Sequence, residues 1–198
     1  MIGVIDSNIC NIFSLTNMLK KLKADYIIIN DPDKFDRVDK IILPGVGAFP
    51  KAMENLNKFN FINKINNFAN NNKFILGICL GMQLLFEKSI EFIETKGLGL
   101  IPGSIEKIKT KLALPHMGWN DIKITKNVPL LDNVKNGADV YFVHSYKVCA
   151  EERFIAATTE YDEIIPAVVA NNNIFGTQFH PEKSKKWGET ILKNFINL

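Results

Sequence analysis

Cys79 stands between two glycines in the run Gly77-Ile78-Cys79-Leu80-Gly81, where an apolar segment gives way to helix-forming residues. G-x-C-x-G at a strand-to-helix junction is the thiol form of a nucleophile elbow, a turn too tight for side chains at the flanking positions. Such a turn lifts the sulfur above the carboxyl edge of a sheet, where open α/β sheets form their ligand crevice. It also sets the sulfur at a helix N-terminus, whose positive end favours a thiolate and whose free N–H groups can bind an oxyanion. The competing reading is a cysteine packed in the core. A packed cysteine needs no glycine on either side.

A nucleophilic thiol needs a base, and the chain has three histidines, His116, His144 and His180. His180 lies in "FGTQFHPEKS", just past a strand-like run, with Glu182 two residues on and Pro181 between them. Pro181 predicts an extended link, on which residues i and i+2 share a side, so the carboxylate reaches the imidazole. It would orient the ring and stabilise its protonated form, as the acid does in a Ser-His-Asp system. A surface His and Glu in a loop is the alternative for either residue alone. The third piece is "LPGVGAF" (Leu43–Phe49). A strand ending in Pro-Gly-x-Gly makes a turn whose backbone can approach a substrate, and its amides could face that of Leu80 across an oxyanion. Most such turns are only turns.

The elements that must position these groups alternate along the first half of the chain. "IGVI", "YIII", "KIILPGVG" and "KFILGICLG" are apolar runs closed by turn residues. Between them, Ile12, Leu15, Leu19 and Leu22 predict a helix from about Asn11 to Lys23, and Met53 to Phe68 predict one or two more. A further helix is expected to start over Met82–Phe86. Strands apolar on both faces, alternating with helices, predict an α/β fold with a mostly parallel central sheet flanked by helices. Beyond Leu98 the segments "SIEKIKT", "NDIKIT", "DVYFVHSYKV", "FIAATTE", "PAVVA" and "IFGTQF" predict an antiparallel C-terminal section. Trp187, Ile191, Leu192, Phe195 and Ile196 share one face of a last helix.

The 198 residues carry a formal charge of +3 with both signs interspersed, which argues against nucleic acid or an anionic membrane as partner. No run approaches the ~18 apolar residues of a membrane span, and the first residues read as a strand, so a cytoplasmic protein of one domain is expected. Cys10, Cys79 and Cys149 are widely separated, and neither they nor the histidines cluster at ligand spacing. No metal and no cofactor is therefore expected.

Taken together in order, "LPGVGAF", "ILGICLGMQLLFE", "PHMGWN", "YFVHSY" and "GTQFHPEKS" closely resemble the glutaminase subunits of imidazole glycerol phosphate synthases, within the class I, triad-type glutamine amidotransferases. The resemblance spans essentially the whole chain and implies a single amidotransferase domain over residues 1–198, with a flavodoxin-like three-layer arrangement. It implies glutamine as substrate and a cyclase subunit with a (β/α)8 barrel as partner in a heterodimer of histidine biosynthesis. Cys79 matches the nucleophile, His180 the general base and acid, and Glu182 its orienting partner. Leu80 and Val46 match the donors of the oxyanion amides. Gly47, Gln83, Glu91, Ser145 and Tyr146 match positions that hold glutamine, and Asn11, Trp119 and Lys183 match the face that docks on the cyclase. His116 and His144 read as structural or interface residues.

The chain departs from the family in its first loop, usually D-Y-G-x-G-N and here "DSNICN". Asp6 and Asn11 remain, whereas Tyr and both glycines are replaced. The departure bears on the partner, not on the glutaminase groups. It is compatible with a paralogous pair that supplies ammonia for acetamidino sugars of surface polysaccharides. A non-catalytic interaction subunit is a third reading, against which the retained Cys79, His180 and Glu182 weigh.

Overall fold

The computed structural model describes residues 1–7 and 12–198; residues 8–11 of the substituted first loop, with the Asn11 expected at the partner face, lie outside the described residues. The chain lays down β1 (Ile2–Ile5), α1 (Phe13–Lys21), β2 (Tyr26–Ile29), β3 (Lys40–Gly45), α2 (Phe49–Lys58), α3 (Phe61–Asn70) and β4 (Phe74–Cys79). It continues with α4 (Leu80–Leu84), β5 (Phe86–Ser89), β6 (Thr95–Lys96), β7 (Ile101–Lys107) and β8 (His116–Ile124). Last come β9 (Ala138–His144), β10 (Tyr146–Cys149), β11 (Ile155–Glu160), β12 (Ile164–Asn171), β13 (Ile174–Thr177) and α5 (Lys185–Asn197).

Nine strands form one sheet in the order β2-β1-β3-β4-β13-β12-β11-β8-β9. Its first five strands are parallel, and every later pairing is antiparallel. The antiparallel section expected beyond Leu98 thus extends the parallel sheet. The fold is α/β with a large mixed sheet flanked by helices. Successive side chains of a strand face opposite ways, so a strand buried on both faces is apolar throughout. In β3, Ile41 and Leu43 pack with α2 and α3 on one face, while Ile42 packs with α1 and α5 on the other. Ile75 and Leu76 of β4 divide in the same way. Each such side chain removed from water contributes about 1.5–3 kcal/mol.

The structure corrects three expectations. The first helix is shorter than Asn11–Lys23, beginning at Phe13 and ending at Lys21. The helix expected over Met82–Phe86 spans Leu80–Leu84 instead, and Phe86 begins a strand. The reason is tertiary: the Leu85 carbonyl accepts the N–H groups of Leu100 and Ile101, which pulls Phe86 into register with Ile101. That pairing builds a second sheet, β10-β7-β5-β6, which packs on the α2–α3 face. "DVYFVHSYKV" is likewise two strands, one in each sheet, broken at Ser145. None of the helices among the described residues is long and apolar enough to cross a membrane.

Candidate active site

β4 ends at Cys79 and α4 begins at Leu80, so the backbone reverses at the cysteine itself. Cys79 has φ 54° and ψ −111°, a region that costs a non-glycine residue about 1–3 kcal/mol and persists only where packing imposes it. The packing is visible at the two flanking glycines. A Cβ on Gly77 would come within 2.6 Å of the Gly81 carbonyl oxygen, and one on Gly81 within 1.7 Å of the Leu43 carbonyl oxygen. Only hydrogen fits at either position, as the spacing predicts. Because α4 has five residues, it carries only a fraction of a helix macrodipole. The sulfur depends instead on side chains around it.

His180 is the ionisable side chain that interacts with the sulfur. Its Nδ1 donates to Glu182 Oε1 at 2.8 Å, and both side chains are largely buried. The link is not the extended one that Pro181 suggests, since Pro181–Lys183 coils into a 3-10 turn that folds Glu182 back onto the ring. Nε2 is buried without a well-aligned hydrogen bond, and the Cys79 sulfur interacts with the ring. Burial works against a charged imidazole, yet the Cys79 sulfur and the Glu182 carboxylate outweigh it and push His180 up to about 10. A protonated ring held between the Glu182 carboxylate and the Cys79 sulfur is placed to serve a cysteine nucleophile.

Backbone contacts fix where that ring stands. The His180 N–H donates to the Tyr141 carbonyl, the Tyr141 N–H to Ser184 Oγ, and the Ser184 hydroxyl to the His180 carbonyl. This closed loop of three bonds ties the histidine to β9, the last strand of the large sheet, which therefore returns to the site.

Cys79, Leu80 and His180 open into a cavity of about 330 Å³, a size suited to a small metabolite. Val46 and Gly47 line it from the turn after β3, with Gly47 at φ 97°. Gln83, Glu91, Ser145 and Tyr146 line it as well. Glu91 Oε2 accepts the Phe49 N–H at 2.7 Å, which fixes a buried carboxylate at the wall. Burial and that carboxylate raise the Tyr146 phenol above its ordinary pKa.

The sequence pattern of the family described as glutamine amidotransferase class-I matches residues 3–198. The chain belongs to the class-I glutamine amidotransferases. A Bacillus cereus protein named imidazole glycerol phosphate synthase subunit HisH is 45% identical over 195 residues, covering 98% of this chain and 93% of that one. A Bacillus thuringiensis protein of the same name matches at the same identity and coverage. A crystal structure described as a glutamine amidotransferase superposes with a TM-score of 0.79 at 14% identity, over 99% of this chain and 97% of that one. The structure of PurLQS from Thermotoga maritima does so at 0.74 and 21%, with the same coverage. At such identities the two structures bear on the fold alone.

In this amidotransferase, every residue expected to act on glutamine lines one cavity or stands directly behind it, as Glu182 does. Of the residues expected to meet a partner, the described ones, Trp119 and Lys183, do not line the cavity. Trp119 is half exposed on β8 with its ring 6.0 Å from that of Tyr141, and the Lys183 ammonium is 5.5 Å from the Tyr141 ring. Among the described residues no cluster of three potential metal ligands occurs.

Three buried residues escape a reading of spacing alone. Ser184 closes the loop at His180. Gln178 touches the sulfur, its Nε2 lying 3.9 Å from Cys79 Sγ, and period-2 alternation back from His180 was the signal for it. His144, read as structural or interfacial, lines the cavity. Its Nδ1 donates to the Tyr146 carbonyl at 2.8 Å, and its Nε2 faces His116 Nδ1 at 3.1 Å. Burial drives His144 down to about 4, and burial lowers His116 as well, so both rings are neutral at neutral pH.

Proposed function

We propose that this chain is the glutaminase subunit of an imidazole glycerol phosphate synthase, acting in the cytoplasm as one catalytic domain. The observation that supports it best is His180, placed between Glu182 and the Cys79 sulfur in the lining of a metabolite-sized cavity. The family membership and the name carried by relatives at 45% identity support the choice of pathway.

The chemistry follows from the groups present. The Cys79 thiolate attacks the carboxamide carbon of glutamine, and charge develops on the amide oxygen. The N–H groups of Leu80 and Val46 are the donors for that oxyanion. His180 gives its proton to the nitrogen, the C–N bond breaks, and ammonia leaves a γ-glutamyl thioester. Water, deprotonated by His180, then attacks the thioester carbon, releasing glutamate and the thiolate. Glu182 holds the ring and stabilises its charged form. Glu91 is the partner for the substrate ammonium, while Gln83, Ser145, Tyr146 and Gly47 hold its amino-acid end.

Ammonia would leave toward a cyclase subunit with a (β/α)8 barrel. Trp119, Lys183 and Asn11 are the residues that would meet it. Tyr141 supports that route, since its backbone is bonded to His180 while its ring lies against Trp119 and Lys183.

The test is glutamine hydrolysis by the chain alone and with a candidate cyclase plus its nucleotide substrate, alongside Cys79→Ala. The isolated chain is expected to turn over slowly, because the oxyanion turn at Val46 awaits the partner, a coupling between two sites. Strong stimulation by the cyclase, lost in Cys79→Ala, supports the proposal. Full activity without a partner sinks the coupling, and Cys79-dependent activity indifferent to that cyclase redirects the ammonia to another acceptor.

A further inference from the structure

Gln178 is fully buried, two residues before His180. It follows Thr177 as Cys79 follows Ile78, and Thr177 and Ile78 are register partners on the parallel strands β13 and β4. A buried primary amide carries two donor hydrogens and an acceptor oxygen, and leaving them unpaired is costly. Gln178 spends them in two directions. Its Oε1 accepts from Gln83 Nε2 at 3.0 Å, and its Nε2 donates to Cys79 Sγ at 3.9 Å.

An amide is nearly symmetric in shape, so which end faces the sulfur must be decided by a group that cannot turn round. That group is the backbone carbonyl of Tyr146. It accepts from Gln83 Nε2 at 3.0 Å, which commits the NH2 end of Gln83 to that side. The second hydrogen of the same NH2 group meets Gln178, whose oxygen must then face it. Nε2 of Gln178 is left for the sulfur. The Tyr146 carbonyl is itself pinned by the Nδ1–H of His144 at 2.8 Å.

Besides the His180 ring, the sulfur has the Val143 carbonyl oxygen 3.8 Å away, to which a neutral S–H can donate. Once the proton has passed to His180, a carbonyl oxygen no longer helps the sulfur. An amide N–H does, and a donor to an ionised acceptor bonds more strongly than one to a neutral acceptor.

We infer that Gln178 is a further catalytic residue, whose N–H stabilises the Cys79 sulfur as an anion, with its polarity imposed by the Tyr146 carbonyl through Gln83. The inference rests on the reading of Cys79 as nucleophile. It applies at both points where the sulfur carries charge, before attack on glutamine and on release from the thioester. It also joins the segment that would hold the substrate's amino-acid end, Ser145–Tyr146, to the nucleophile through two side-chain amides.

The experiment is the rate of Cys79 alkylation by iodoacetamide against pH, read on the Cys79 peptide by mass spectrometry so that Cys10 and Cys149 do not contribute. The full chain is compared with Gln178→Met, which fills the space without a donor, and with Gln178→Glu, which keeps the shape. The titratable groups around the sulfur are His180 with Glu182 behind it, and His144, Glu91 and Tyr146 in the lining of the same cavity; all are unchanged in both variants.

Gln178→Met is expected to move the alkylation midpoint to higher pH and to slow alkylation at neutral pH about tenfold, the effect of losing one hydrogen bond to a charged group. Gln178→Glu should shift it further in the same direction, because a carboxylate beside a thiolate repels it. A midpoint unchanged in a folded Gln178→Met chain makes Gln178 a packing residue and overturns the inference. If that variant does not fold, an unshifted midpoint in Gln178→Glu overturns it equally. Alkylation needs no glutamine, so the two readings fail separately. A wild-type chain that never hydrolyses glutamine with its partner overturns the proposed function, whereas unshifted midpoints overturn only the role of Gln178.

Discussion

Gly45 and Cys79 are register partners at the carboxyl ends of the adjacent parallel strands β3 and β4. The two turns that leave this sheet edge, one carrying Val46 and Gly47 and the other Cys79 and Leu80, are therefore neighbours by strand pairing and need no long side chain to meet. The closeness is severe. A Cβ on Gly45 would stand 3.0 Å from the Gly81 nitrogen, and the Gly81 backbone lies against the Leu43 carbonyl.

Substitutions at the glycines should consequently separate fold from function. Gly81→Ala sets a methyl group 1.7 Å from the Leu43 oxygen and must displace backbone. A loss of more than about 3 kcal/mol, or no folded protein, is expected, in the range of severe core overpacking. Gly47→Ala meets nothing within 4 Å and pays only for its positive φ, about 1–2 kcal/mol. Urea unfolding of both variants measures the difference; equal losses would contradict the packing described for the elbow.

The Glu182–His180 bond predicts a loss of rate without a loss of shape. Glu182→Gln keeps an oxygen for the Nδ1–H and removes the charge. His180 should then fall from about 10, and turnover in the complex should drop roughly 10²- to 10⁴-fold while KM changes little. Steady-state kinetics with the partner present check it.

Ser184→Ala opens the loop that ties His180 to β9. The cost to stability is about 1–3 kcal/mol, since the Tyr141 N–H and the His180 carbonyl both lose a buried partner. Because the ring is then less firmly placed, kcat should fall more than KM rises. A variant with reduced stability and unaltered kcat would confine Ser184 to folding.

The two cavity histidines should give the stability curve opposite slopes. His144 is lowered from 6.5 to about 4, so between those values the unfolded chain binds the extra proton. Stability from this group is present above pH 6.5 and is lost as pH falls toward 4, by at most about 3 kcal/mol. His180 is raised to about 10, so its contribution is complete below 6.5 and is lost as pH rises toward 10. Urea midpoints across pH should decline more gently on the acid side in His144→Asn and more gently on the alkaline side in His180→Asn. Unchanged acid-side decline in His144→Asn would show that this ring does not titrate as its burial implies.

The sequence by itself determined the groups whose geometry is local. G-x-C-x-G specifies the elbow because glycine alone fits the turn, and a separation of two residues keeps Glu182 close to His180, although the 3-10 turn that joins them was not the extended link expected. The apolar runs of β1, β3 and β4 determined a sheet covered on both faces, since no strand with one wet face is apolar throughout. What only the tertiary structure decided depends on contacts far apart along the chain. The fate of Phe86 was set by Leu100 and Ile101, which claim the Leu85 carbonyl and turn a helical pattern into a strand. Ser184 acquires its place from Tyr141, and Gln178 its polarity from Tyr146, a carbonyl present in every residue and distinguished by no side-chain pattern. Backbone donors and acceptors are the same at every position, so a sequence cannot mark which of them a buried amide will meet; the folded chain chooses by proximity.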